Sequence, residues 1–164
     1  MILPSRRWYL VAAGLAVLAP ISLLVPEAGT TLFVADFLWV VAFLIDAWRI
    51  GDLGFARFPV RREAPPAFSV GRQLPVTYQW DNPTARRLTV LVREETPRLL
   101  ETSAGRERRL ELTPARPLLE SVLYAPVRRG KATGGRLHLR VLGPWGLVWR
   151  QGNRELPWSV VVYP

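Results

Sequence analysis

The chain of 164 residues carries a formal net charge of +9, is 49% hydrophobic and contains no cysteine. A disulfide framework and a thiolate metal site are therefore excluded. One histidine leaves little for imidazole chemistry, and the basic excess permits nucleic acid or anionic lipid as a partner while specifying neither.

The first fifty residues set the organisation. Trp8 to Val25 contains no charged residue, and after Pro26-Glu27-Ala28-Gly29-Thr30 a second apolar run extends from Thr31 to Trp48. Each run is 18 residues long, roughly 27 Å as a helix, close to the thickness of a bilayer core. The expectation is a transmembrane helical hairpin over residues 1–50, with spans at 8–25 and 31–48 and a juxtamembrane linker at 51–57. Arg6 and Arg7 precede the first span and Arg49, Arg57, Arg61 and Arg62 follow the second, whereas the connection holds only Glu27. By the positive-inside rule both ends and the following domain face the cytoplasm. A cleaved signal peptide is the competing reading, but no small-x-small motif lies between Leu24 and Ala28. Pro20 falls inside the first span as a tolerated kink. Asp36 and Asp46 are the ionisable residues of the spans; Asp46 lies three residues before Arg49, a spacing that predicts an interfacial ion pair.

Past Gly54 the period changes from helical to alternating. Phe58–Glu63 opens the series, and Leu74, Val76, Tyr78 and Trp80 alternate with polar residues. Asp81-Asn82-Pro83-Thr84 reads as a turn. Leu88, Val90 and Val92, then Leu110 and Leu112, Val122 and Tyr124, Leu137, Leu139 and Val141, and Trp158, Val160 and Val162 mark further strands. About seven short strands over residues 58–164, punctuated by Gly, Pro and Asn, predict an all-β sandwich of the immunoglobulin or fibronectin kind. With Lys131 the single lysine, residues 57–164 hold 19 basic against 9 acidic side chains, a net +10.

Chemistry is scarce. His138 lies between Arg136 and Arg140 on a polar strand face, a poor setting for a metal ligand or general base. Glu94 and Glu95 are adjacent, so they point to opposite faces of a strand and do not act as a pair. Serines 69, 103, 121 and 159 lack a nucleophile elbow, and no phosphate-binding loop occurs. The arginine pairs 61-62, 86-87, 108-109 and 128-129 lack the stacking aromatics of nucleic-acid modules; a solvated surface near anionic lipid accounts for them. The residues thus predict no catalytic, cofactor or metal site.

One stretch is distinctive. In Tyr124–Gln151 a strand ends in Arg128-Arg129-Gly130, and a second closes on Gly143-Pro144-Trp145-Gly146-Leu147; Val162-Tyr163-Pro164 follows. With Asp81-Asn82-Pro83 and the N-terminal hairpin, this resembles the bacterial membrane proteins called domain of unknown function 58. In that family two membrane helices lead into a β-rich region, and the corner opens with Asp where this chain has Gly143, so a capping Asp is not carried over. Longer members continue into a von Willebrand factor A-like domain whose Asp-x-Ser-x-Ser metal motif does not occur here; the chain corresponds to their N-terminal part. The resemblance implies a role in assembling or maturing other proteins, beside a MoxR-type AAA+ ATPase. The resulting expectation is a non-enzymatic inner-membrane protein-interaction module, with membrane lipids and a protein as partners. Its candidate interaction surface is Arg128, Arg129, Pro144, Trp145, Gly146 and Leu147, although Trp145 and Leu147 also suit the plug of a sandwich end. The alternative is an outward-facing envelope module binding a glycan or surface ligand.

Overall fold

The computed structural model describes the whole chain except Asp52 and Arg106, and the backbone alone of Ile21, Leu23, Pro26 and Ala132. The expected linker at 51–57 therefore lies partly outside the described residues. The chain divides into two compact units: Met1–Asp52 with Leu142–Gln151, and Leu53–Val141 with Gly152–Pro164.

The first unit begins with a short strand, β1 (Ile2–Pro4). Helix α1 (Arg6–Leu18) follows, capped by Ser5, whose Oγ accepts from the Trp8 N–H at 3.3 Å. α1 is shorter than the expected span of 8–25. At Pro20, which has no N–H and whose ring crowds the carbonyl four residues back, the chain tightens into a 3-10 turn over Ala19–Leu23. Helix α2 (Pro26–Ile50) is longer than expected. Pro26 through Thr30, read as a connection, form its first turn, because Pro at the first helical position loses only an N–H that has no helical partner. Glu27 adds negative charge at that positive end. Trp8 packs edge-on against Phe43 at 5.7 Å, joining α1 to α2. α2 is long and apolar enough to cross a membrane, by length and composition, and none of its apolar window is buried.

The second unit is the sandwich. The sandwich strands are β2 (Val60–Glu63), β3 (Phe68–Ser69), β4 (Leu74–Trp80), β5 (Leu88–Glu94), β6 (Leu100–Thr102), β7 (Arg108–Leu112), β8 (Leu118–Pro126), β9 (Gly130–Leu142) and β10 (Val148–Tyr163), of which Leu142 and Val148–Gln151 belong to the first unit. One sheet runs β2-β4-β8-β6. In the other, β10, β9, β5 and β7 are neighbours in that order, with β3 added parallel to the end of β10. The remaining pairings described are antiparallel. Alternation places Val76, Tyr78 and Trp80 of β4 inside, facing Val90 and Val92 of β5 and Leu137, Leu139 and Val141 of β9, each fully buried. The expected immunoglobulin-like class is therefore the observed one for this unit.

Candidate functional site

Two groupings of polar side chains stand out, one in each unit. In the first unit the corner between β9 and β10 is a tight turn, with the Gly146 N–H donating to the Gly143 carbonyl at 2.9 Å. Such a turn favours Asp or Asn at its first position, where the side chain caps the backbone N–H two residues on. Gly143 has no side chain to do this. The carboxylate comes instead from α2: Asp46 accepts from the Trp145 N–H (2.8 Å), the Leu147 N–H (2.9 Å) and the Val148 N–H (3.2 Å). A Cβ on residue 143 would lie 2.3 Å from Asp46 Oδ2, so the glycine makes room for the incoming carboxylate. The expected partner of Asp46 was Arg49; three backbone amides about a hundred residues away take the carboxylate instead. The Arg49 guanidinium lies 5.7 Å from the centre of the Trp145 ring.

The N-terminus completes this corner. Ser5 donates from Oγ to the Gly146 carbonyl at 2.6 Å and from its backbone N–H to the Leu147 carbonyl at 2.8 Å. β1 pairs with β10 through Ile2–Arg150, Leu3–Trp149 and Pro4–Val148. Arg150 donates to the Gly51 carbonyl. Asp46 and Ser5 are both buried, and both are spent on this one turn.

Of the six residues expected to form an interaction surface, Pro144, Trp145, Gly146 and Leu147 form the corner. Leu147 is buried, whereas Trp145 is 43% exposed. Arg128 and Arg129 lie in the second unit, exposed in the connection from β8 to β9. Gly146 has φ 74°, the left-handed region that its lack of a Cβ allows.

The second grouping surrounds Glu94, inside the sandwich. Arg62 pairs with Glu94 Oε1 at 2.7 Å, both side chains being about 95% buried. The Tyr78 and Tyr124 hydroxyls each lie 2.7 Å from Glu94 Oε2 and 2.9 Å from one another. Arg108 Nη2 stands 3.7 Å from Glu94 Oε2, and Arg108 Nη1 donates to Glu120 at 2.9 Å. Arg62 also donates to the Leu156 carbonyl and lies over the Trp158 ring, 4.5 Å from its centre. Burial, then the Glu94 charge, push the Tyr78 phenol up to about 12 against the lowering effect of Arg62. The same two causes in the same order push Tyr124 further up. A cleft of about 620 Å³ adjoins the cluster, lined by Arg93, Thr96, Thr102 and Gly105 together with Glu94, Arg108 and Tyr124. The two carboxylates balance the two guanidinium groups and bond internally. Such a cluster holds a fold in register more readily than it does chemistry.

Glu95 points the other way, as its adjacency to Glu94 requires. It accepts from His138 Nε2 at 2.8 Å, and His138 Nδ1 lies 2.9 Å from Asn153 Oδ1, all on the exposed side. The hydrogen bond from His138, which outweighs the opposing desolvation, holds the Glu95 carboxyl below its usual range. A carboxyl lowered in the fold contributes stability above its unfolded-state value and loses it as pH falls through the folded one. Thermal melts of the native chain and of Glu95→Gln should therefore differ at neutral pH and converge below about pH 4. An unchanged difference at pH 3 contradicts this pairing. Among the described residues no group of three or more His, Asp or Glu side chains is placed to hold a metal ion.

No protein-family model matches the sequence, and no curated protein matches it. Solved structures match at low similarity. The native conformation of Escherichia coli alpha-2-macroglobulin is 19% identical, with a TM-score of 0.46 over 65% of this chain and 6% of that one. The trypsin-activated form of that protein gives 18%, 0.48, 65% and 7% in the same order. WR4, a C. elegans MSP family member, is 7% identical, with a TM-score of 0.36 over 63% of this chain and 97% of that one. The chain thus spans under a tenth of the macroglobulin chains it matches.

Proposed function

We propose that this chain is a non-enzymatic, membrane-anchored protein-interaction module of the bacterial inner membrane, of the domain of unknown function 58 kind. The observation that carries the reading is α2, 25 residues long with its apolar window wholly exposed. Such a surface is costly in water and favourable in lipid, at about 25 cal/mol per Å². On this reading the protein is multi-pass. α1 with its 3-10 turn covers roughly 30 Å, enough for a second crossing. Arg6 and Arg7 at one end and Arg49 at the other then place both ends and the sandwich in the cytoplasm. The partner is a protein, and a MoxR-type AAA+ ATPase is the first candidate to test.

Ser103 is exposed in the sandwich and the chain has no native thiol, so Ser103→Cys carries a single reporter. A membrane-impermeant maleimide applied to intact spheroplasts should leave it unlabelled, with labelling after lysis. Labelling of intact spheroplasts overturns the cytoplasmic placement.

A further inference from the structure

One strand edge of the sandwich lacks the protection that edges usually carry. β8 pairs with β4 from Leu118 to Tyr124, but on its other side β6 covers only Tyr124, Ala125 and Pro126. The Ser103 N–H donates to the Leu123 carbonyl on that side at 3.0 Å. Backbone groups alternate along an antiparallel strand, so the N–H and C=O of Leu119 and Ser121 face the same side. Among the described residues no strand or loop bonds to them there. Natural edges are blunted by lysine, proline, bulges or inward-pointing charge. Leu118–Leu123 reads LLESVL, without lysine or proline, and the Glu120 carboxylate is held by Trp80 and Arg108. Leu119 is 67% exposed and Leu123 40% exposed, on the outer face beside the edge.

The charges around this edge say what fits it. Arg116 precedes β8, Arg128 and Arg129 follow it, and all three are exposed. A second copy would bring its own arginines, within a chain of net charge +9, against these. An acidic segment would be drawn to them. Resting on the interaction role above, we propose that β8 receives an extended acidic segment of another protein as an added strand, with alternate apolar side chains set against Leu119 and Leu123.

The test uses the full chain in detergent micelles and two fluorescein-labelled ten-residue peptides. Both alternate Val and Thr at the centre; one ends in Asp pairs, the other in Lys pairs. Anisotropy should show binding of the Asp-ended peptide and at least tenfold weaker binding of the other. Ser121→Pro removes one edge-facing N–H while leaving the ladder to β4, so it should weaken binding at least tenfold with an unchanged melt. Arg116→Glu should weaken it as well, and more at low salt than at high. Equal binding of the two peptides, no binding of either, or native affinity in Ser121→Pro overturns the proposal. So does a concentration-dependent dimer that Ser121→Pro abolishes, which would assign the edge to a second copy. Photo-cross-linkers at Leu119 and Arg93 in membranes separate the two readings. Capture from Arg93 alone overturns the edge and leaves the interaction role; capture from neither position removes both.

Discussion

Replacing Asp46 with alanine should cost more stability than any other single change in the first unit. Three N–H groups lose their acceptor at once, and those of Leu147 and Val148 are buried. An unsatisfied buried donor costs about 1–3 kcal/mol, so the expected loss is on the order of 2–5 kcal/mol. Urea unfolding in detergent, read by tryptophan fluorescence, should show that loss. Asp46→Asn, which keeps one acceptor oxygen and turns an amide towards the donors, should fall between the two. Gly143→Asp alone should also destabilise, because its Cβ would meet Asp46 Oδ2 at 2.3 Å and a second carboxylate would stand beside the first. Combined with Asp46→Ala, however, an Asp at 143 can cap the turn locally. The double variant should be more stable than either single one. A double variant no better than Asp46→Ala would mean that the carboxylate does not act as the cap of this turn.

The second large effect is expected at Glu94. Glu94→Ala leaves Arg62 and Arg108 buried without their shared counter-charge, and two phenols without their acceptor. Removing one partner of a buried ionic cluster costs about 3–5 kcal/mol, since the remaining charges are stranded. Glu94→Gln should recover part of this through its carbonyl oxygen. The same cluster sets an alkaline limit. The Tyr78 phenol, raised by burial and by Glu94 to about 12, holds its proton in the fold after an unfolded phenol would release it near 10. Its contribution is complete below pH 10 and is lost as pH rises towards about 12. Urea midpoints should fall from pH 10 upwards in the native chain, and less steeply in Tyr78→Phe. A midpoint insensitive to pH between 9 and 12 contradicts a buried phenol at this position.

Much of the sandwich was legible because alternation survives wherever one strand face is buried and the other is wet. Val76, Tyr78 and Trp80 illustrate this, as do Leu137, Leu139 and Val141. The opposed directions of Glu94 and Glu95 follow from the same two-residue period. Three strands were not legible, for physical reasons. β1 is three residues ending in proline, and β3 is two residues long; neither is long enough to show a period. β6 is three residues, LET. The first half of β10, VWRQGNREL, is largely polar and interrupted by Gly152, so its pairing rather than its side chains makes it a strand. The helix boundaries moved because proline acts by position, ending a helix at Pro20 and beginning one at Pro26.

The role of Asp46 lay beyond local reading altogether. Its partners are 99 to 102 residues away, whereas the only charged neighbour visible in sequence was Arg49. The available signal was a glycine at the turn position that prefers Asp, together with a carboxylate in an apolar helix. Neither observation alone names the other as its partner. The Glu94 cluster was hidden in a similar way, since Arg62, Arg108, Tyr78 and Tyr124 come from four different strands.

The capped corner is most directly tested by hydrogen exchange of the Trp145, Leu147 and Val148 amides in the full chain in lipid. Slow exchange at these amides in the native chain is expected. It should become fast in Asp46→Ala and slow again at Trp145 in the double variant with Gly143→Asp. Fast exchange of all three in the native chain, or protection that Asp46→Ala leaves unchanged, would contradict a corner held by the carboxylate of α2.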